Sequence, residues 1–541
     1  MKPQIVKAAE QTPAEIAGAL EGFLAEHPYA VIFEDGRPLF DMRQAKYSLT
    51  TEHGRCSLHL WGEDRNLVRR VGAAVLRKDV LRLSTFRFGQ AKPQTLEVVA
   101  DKDRRTPSTR ETTRTKYLRR LERVLEREFQ EWTVEAFRTS MDLERSFGPA
   151  YARGVLTKGT QAWAVIGVNQ EETQGTVDGV LTLGILWLAL CRENAGGRRL
   201  FQGLKVIAPR GMETLTLSRL AWMNVDVAQW ELWSLDEETE ELERRDAADH
   251  GNLTTRLIHA PNQVAARERF AESAARVMAV VPEATRGIVE QRVRSGSELA
   301  FLLHGLEFAR ARIGYAGQSF NREQEITFGA GANETPLTEE SEAELWELMQ
   351  RLFARRHAVG SHRDPLYRMQ PERWLESVLR RDVIPIDDKL DAEHVYTQVP
   401  AIAGADRGML DLLGVTSDGR LAVIELKAEE DLHLALQGLD YWIRVRAHHL
   451  ENRDPVTGLG EFQKNGYFGG VRLAEGAAPR LYLVAPALRV HPATEMVLRH
   501  LSPKVEWMLV ALDERWREKV KVVWRKRSGD AAIGSQAYRG S

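Results

Sequence analysis

Apolar and polar positions along the chain recur in two periods, and the change from one to the other marks the elements. The clearest instance is residues 409–442, MLDLLGVTSDGRLAVIELKAEEDLHLALQGLDYW, where two apolar runs flank Ser417-Asp418-Gly419 and a helical spacing begins near Asp431. This predicts a β-hairpin followed by a helix. Around it, residues 365–527 predict a helix opening at Pro371, a buried strand at 481–485, a helix over 491–501 and a strand over 505–512. An edge strand with basic residues outward is expected at 519–527. Residues 13–24 carry the helical spacing, whereas Ala30-Val-Ile-Phe and Cys56-Ser-Leu-His-Leu-Trp are short runs separated by polar breaks such as Asp35-Gly36. Residues 1–105 therefore predict a small mostly-β domain. Residues 101–115, DKDRRTPSTRETTRT, lack an apolar period and predict a linker, with a new domain starting at Lys116. Residues 251–364 predict a helical and mixed connecting domain, with helices over 264–281 and 298–311 and a strand pair at Ile313-Gly-Tyr and Glu325-Ile-Thr-Phe. Residues 528–541 predict a disordered tail.

Residues 116–250 repeat the later region in weakened form. Leu121-Glu-Arg-Val-Leu125 echoes Leu375-Glu-Ser-Val-Leu379, Ala164-Val-Ile-Gly-Val-Asn169 echoes Ala422-Val-Ile-Glu-Leu-Lys427, and Leu204-Lys-Val-Ile-Ala-Pro209 echoes Leu481-Tyr-Leu-Val-Ala-Pro486. Trp230 and Leu235-Asp-Glu237 then meet Trp507 and Leu512-Asp-Glu514 at the same offset. The shared order is what chance does not supply. Residues 179–191, between Asp178 and Arg192, replace the polar helix of the later copy with an apolar one, predicted to be buried and too short for the about 20 residues a bilayer needs.

The hairpin carries the chemistry. Alternation along a strand sends Glu425 and Lys427 to one face and Ile424 and Leu426 to the other. With a three-residue loop and positive φ at Gly419, Asp411 lands opposite Glu425; a two-residue loop would pair it with Leu426 and separate the acids. Two carboxylates on one face are costly unless a cation neutralises them, and hard oxygen ligands suit Mg²⁺ or Mn²⁺. A neighbouring lysine can steer a water and offset charge on a phosphate.

Asp411 followed by Glu425-x-Lys427 on adjacent strands resembles the PD-(D/E)xK nuclease superfamily. Gln437-Gly-Leu-Asp-Tyr441 looks like the Gln-x-x-x-Tyr signature of its RecB-type branch. The family usually has Pro before its Asp, where this chain has Leu410. The resemblance covers about residues 371–527. It implies a restriction-endonuclease-like mixed sheet flanked by helices, present twice, and a metal-dependent deoxyribonuclease. Asp411, Glu425 and the main-chain carbonyl of Leu426 would hold Mg²⁺ or Mn²⁺, with Glu376 on the first core helix joining through water. Lys427 would position the attacking water, and Gln437 and Tyr441 would hold phosphate or the lysine. The alternatives for the last three are a surface helix for Glu376 and helix–sheet packing for Gln437 and Tyr441. In the first copy Arg153, Gly167 and Asn169 stand at the matching positions of Asp411, Glu425 and Lys427, leaving only Glu122 for Glu376. That copy is expected to be a dead partner in an internal pseudo-dimer.

Composition narrows the class without naming a substrate. The chain has 541 residues, 43% of them hydrophobic, enough for about three or four domains. Its net charge of −2 announces no polyanion partner, but residues 51–120 hold 17 Lys or Arg against 8 Asp or Glu, and residues 228–250 hold 9 acids against 2 bases. Arg65, Arg69, Arg70, Arg77, Lys78, Arg82 and Arg87 form either a nucleic-acid surface or a solvated one. Two distant cysteines exclude a disulfide scaffold or a Cys-ligated cluster, and with no basic-then-apolar start a cytoplasmic location is expected. There is no GxxxxGK[ST], HExxH or GxSxG motif, and Phe328-Gly-Ala-Gly-Ala-Asn-Glu lacks the spacing of a phosphate loop. A non-catalytic nucleic-acid-binding or assembly protein is the competing class, and RNA the competing substrate.

Overall fold

The computed structural model describes the chain apart from residues 1–10, 35–36, 43–44, 52–54, 62–65, 78–79, 87–92, 101–106, 143–145, 249–254, 316–321, 330–333, 404–405, 452 and 531–541. The fold is α/β and divides into two compact units. One comprises Met1–Thr113, Ala271–Pro282 and Glu307–Gln350, the other Arg114–Phe270, Glu283–Leu306 and Arg351–Ser541. The expected disordered tail falls largely outside the described residues.

In the first unit the helix Pro13–Glu26 is opened by a capping box between Thr12 and Glu15. It lays Ile16, Leu20, Phe23 and Leu24 on an antiparallel sheet of seven strands, through Leu58, Leu60, Leu81, Leu83, Leu96 and Val98. Of the seven basic residues singled out here, Arg65, Lys78 and Arg87 lie outside the described residues. Arg69 is buried against Glu34, Arg70 stacks on Phe86, Arg82 bridges Glu97, and Arg77 is exposed. Of the four described, three thus contact residues of the sheet itself.

Three local expectations change. Residues 298–311 form the strands Glu298–Leu303 and Leu306–Tyr315, not a helix. Leu299 through Leu303 are all buried, and a continuous apolar run reads the same for a buried strand as for a helix. His304 and Gly305 both take positive φ, which no helix continues through. The expected linker ends early, because Pro107–Glu128 is one helix. Its later half buries Tyr117, Leu121, Val124 and Leu125, and that anchor lets the polar first turns stay helical from Pro107. Finally, helix runs almost continuously over Gln174–Ala195. It is the one helical stretch among the described residues long and apolar enough to cross a membrane by length and composition, and most of it is buried inside the fold.

The second unit contains two sheets with one strand order. The earlier one runs Thr133–Arg138, Tyr151–Lys158, Gln161–Val168, Leu200–Pro209, Gln229–Asp236, Glu241–Arg245. The later one runs Tyr396–Ala403, Asp406–Val415, Leu421–Leu426, Arg480–Pro486, Trp507–Leu512, Val522–Arg527, with Thr255–Leu257 added beside the first of these. In both, two antiparallel pairings are followed by two parallel ones and a final antiparallel one. A helix enters each parallel crossover, Val180–Ala195 and Leu434–Arg446, as a parallel connection demands. The short helices Thr214–Leu220 and Ala493–Arg499 fill the second crossovers. These four helices pack reciprocally between the halves, Val180–Ala195 on Ala493–Arg499 and Leu434–Arg446 on Thr214–Leu220, and one apolar core joins both sheets.

The strand register corrects the residue-by-residue match between the halves. Ala164 pairs with Leu204 and Val423 with Leu481, so aligning Leu204 with Leu481 sets Ala164 against Val423, one residue later than the sequence echo. The cause is the loop: Lys158 pairs with Gln161 across Gly159-Thr160, whereas the later hairpin turns through three residues. Arg153 still answers to Asp411, but Glu425 and Lys427 are answered by Ile166 and Val168, not by Gly167 and Asn169. Gly419, at φ +80°, closes the three-residue turn with its N–H donated to the Thr416 carbonyl. A Cβ there would stand 2.6 Å from the Arg472 carbonyl oxygen. Gly419→Ala is therefore expected to cost about 1–2 kcal/mol from the left-handed backbone alone, read as a lower urea midpoint; an unchanged midpoint would contradict this turn geometry.

Candidate metal centre

The hairpin register fixes the first two side chains. Val415 pairs with Leu421, Leu413 with Val423 and Leu412 with Ile424, and the next rung inward sets Asp411 beside Glu425. Leu413, Val415, Leu421 and Val423 all belong to the core under the helix Leu434–Arg446, and by alternation Asp411 and Glu425 turn to the same side. Ile424 and Leu426 pack on the opposite side, against Trp374, Leu375 and Leu379 of the helix Pro371–Arg381. The acids are held between a sheet and a helix, at the end of the apolar layer.

Their electrostatics follow from that place. Glu425 is 4% exposed, and its Oε2 is buried with no hydrogen-bond partner. Burial first, then the Asp411 charge, hold the Glu425 carboxyl well above the usual range, with Lys427 opposing. Asp411 is raised by burial against the opposing pull of the Leu426 N–H, Lys427 and Arg373. The Leu426 N–H donates to Asp411 Oδ2 at 3.0 Å, which locks that carboxylate across the strands. Lys427 Nζ stands 3.6 Å from Glu425 Oε1 and 3.4 Å from Asp431 Oδ2. Burial would lower its pKa, but Glu425, Asp431, Glu372 and Asp411 together raise it, so it is an ammonium at neutral pH.

The helix Leu434–Arg446 sets Gln437 and Tyr441 one turn apart on one face. The Tyr441 phenol is pushed up by burial and then by the charges of Glu425 and Asp411, with Arg444 opposing. Its ring and the Arg444 guanidinium crowd Gly408, where a Cβ would lie 3.1 Å from Tyr441 Cε1. Gln437 Oε1 is a second buried atom without a hydrogen-bond partner.

Glu376, expected to reach a cation through water, is otherwise engaged. It accepts from Arg292 Nη1 at 2.8 Å, from Arg373 Nη1 at 2.8 Å and from Gln398 Nε2 at 2.7 Å, so both its oxygens are taken. Arg292 comes from the strand Val289–Ser295 and Gln398 sits at φ +52°, neither of which the sequence pattern announced. Burial raises the Glu376 carboxyl against these cations, and Asp411 adds to the rise. The acid that does face the site is one turn earlier: Glu372 is raised by burial and by Glu429, Asp411 and Asp431, against Lys427. Its spacing of four from Glu376 on an amphipathic helix was the available signal, as the spacing of four from Lys427 was for Asp431.

The earlier half is sealed where the later one is polar. Arg153 is fully buried, 4.4 Å above the Phe147 ring, donating to the Ser140 carbonyl at 2.8 Å, with its pKa lowered by burial to about 10. Ile166 and Val168 are buried beside it. The three positions answering to Asp411, Glu425 and Lys427 thus carry no carboxylate.

Among the described residues, no group of three or more His, Cys, Asp or Glu side chains is arranged to hold a metal ion. Asp411 and Glu425 do fit a hard cation of the Mg²⁺ kind, which commonly takes one or two carboxylates and completes its shell with water and phosphate. The lone Glu425 Oε2, buried beside a second acid, is the observation behind that fit. Because both carboxyls are raised in the folded state, that state binds protons more tightly than the unfolded one. The metal-free protein should thus lose stability as pH climbs from the unfolded carboxyl value through the folded one. Glu425→Gln is expected to stabilise the metal-free protein at pH 7–8 by about 1 kcal/mol or more, a rise of about 1 °C or more in Tm for a unit of this size, and a Tm below wild type would contradict it. Compared with family models and with curated proteins, the chain matches none.

Proposed function

We propose that this chain is a divalent-metal-dependent nuclease that hydrolyses DNA phosphodiester bonds, with its site in the later half of the second unit. On this reading the two like-ordered sheets are restriction-endonuclease-like folds of the PD-(D/E)xK type, and the earlier half is a catalytically dead copy in an internal pseudo-dimer. The observation that carries the reading is the convergence of Asp411, Glu425 and Lys427, two acids and an ammonium on one face, with a buried carboxylate oxygen unpartnered. The resemblance in Gln437-x-x-x-Tyr441 supports DNA as substrate.

Asp411, Glu425 and the Leu426 carbonyl would hold Mg²⁺ or Mn²⁺, and such a cation polarises a phosphate and lowers the pKa of water. Lys427, kept charged by the surrounding acids, orients the water and offsets charge gathering on the phosphate oxygens. Tyr441 stays protonated and so donates, and Gln437 adds an amide, both toward the scissile phosphate. Glu372 supplies further negative charge beside Lys427. Glu376 serves the frame, not the cation.

The test is Mn²⁺-dependent degradation of linear, nicked and single-stranded DNA, with RNA in parallel. Lys427→Ala is expected to lose about 100-fold or more in rate, and equal activity in both proteins would remove the proposed site. A non-catalytic nucleic-acid-binding or assembly protein is the second reading, favoured by Glu376 being held by Arg292, Arg373 and Gln398 instead of reaching the site. Binding without cleavage in several divalent metals, unchanged by Asp411→Asn, is the result that would establish it.

A further inference from the structure

The helix bearing Gln437 and Tyr441 is held by the half that lacks the acids. Arg219, on the short helix Thr214–Leu220, donates from Nε to Asp440 Oδ1 at 2.8 Å and from Nη2 to Asp440 Oδ2 at 2.7 Å. Its remaining nitrogen, Nη1, donates to the Asp178 carbonyl. Both side chains are buried. On the other side of Tyr441, Trp442 is fully buried with its ring edge-on to Trp222, centroids 4.7 Å apart. At the head of the helix His433 Nδ1 lies 3.2 Å from Thr182 Oγ1. Tyr441 is thus the residue between two anchors, both to the earlier half.

We propose that Arg219 is a positioning residue: through Asp440 it sets the rotation of the helix Leu434–Arg446 and so the place of Tyr441, whose ring lies against Gly408 on the strand that carries Asp411. This rests on the nuclease reading above for its effect on rate, though not for its effect on Tyr441. A buried ion pair is a poor source of stability, since well-packed apolar residues of similar volume commonly replace one at no loss. What a bidentate guanidinium–carboxylate pair supplies is fixed geometry. At the surface radius of a helix, a rotation of about 10° moves a side-chain tip by about 1 Å, and a misplacement of that size can cost up to about 100-fold in rate. The earlier half, having lost its acids, keeps this role.

The experiment uses the full chain with Arg219→Met and Asp440→Leu together, and separately Arg219→Lys, which keeps charge but loses the planar fork. The chain has 11 tyrosines, so 3-fluorotyrosine is incorporated throughout and the Tyr441 line is assigned by Tyr441→Phe. Expected for the double variant are a Tm close to wild type, a displaced or broadened ¹⁹F line for Tyr441, and a Mn²⁺-dependent kcat about 10-fold or more lower with KM little changed. Arg219→Lys should fall between the two and keeps the test decisive if the double variant does not fold. An unmoved line, or a moved line with wild-type kcat in an active enzyme, overturns the proposal. If the wild type cleaves no nucleic acid in any metal, the nuclease reading fails, while a moved Tyr441 line still supports Arg219 as its anchor.

Discussion

Two carboxyl groups kept out of water side by side are the constraint on which the later half of the second unit depends. Asp411 and Glu425 meet across adjacent strands under a helix, where burial opposes the ionisation of both and the Asp411 charge raises Glu425 further. Folding places them there only because the apolar residues on the same strands, Leu412, Leu413, Val423 and Ile424, have nowhere else to go. The hydrophobic layer is the driving force, and the strained acids are carried by it. Around them the protein spends its cations selectively. Lys427 faces the pair, and Arg373 and Arg292 instead quench Glu376 a short way off.

The two halves of the unit show the same architecture used in opposite ways. Strand order, strand direction and crossover helices agree, yet the positions answering to Asp411, Glu425 and Lys427 hold Arg153, Ile166 and Val168, all buried. In the earlier half Arg153 settles over Phe147 and donates to the Ser140 main-chain carbonyl. The helix Val180–Ala195 is apolar because nearly all its faces are buried, against the sheet and against Ala493–Arg499. Its burial against the other half is what its composition, long and apolar enough to cross a bilayer, does not reveal.

Coupling between the halves is a matter of shared core and a few directional contacts. Reciprocal helix packing and one continuous apolar cluster join them, while Arg219 with Asp440 and His433 with Thr182 add direction. Apolar contacts hold the halves together but tolerate small rotations; a bidentate ion pair does not. Other directional contacts lie away from that helix, between Ser146 and His491 and between the main chains of Asn224 and His500 and of Ser502 and Trp222.

Much of this was legible in the residues themselves. The alternation around Ser417-Asp418-Gly419, with a glycine able to take positive φ, carried both the hairpin and its register, because a period of two leaves no freedom once one face must be buried. The order of echoes between the halves likewise appeared without coordinates. Other features were decided only when distant segments met. The loop shorter by one residue, Gly159-Thr160, shifted the match of Glu425 from Gly167 to Ile166, and no local pattern counts loop residues. The run Leu299–Leu303 became a strand because burial on all sides erases periodicity. Glu376 was drawn into a cage by Arg292 and Gln398, 84 and 22 residues away in the chain, leaving Glu372 to face the lysine. Short-range alternation is written residue by residue; the partner of a buried charge depends on what the rest of the fold brings within reach of it.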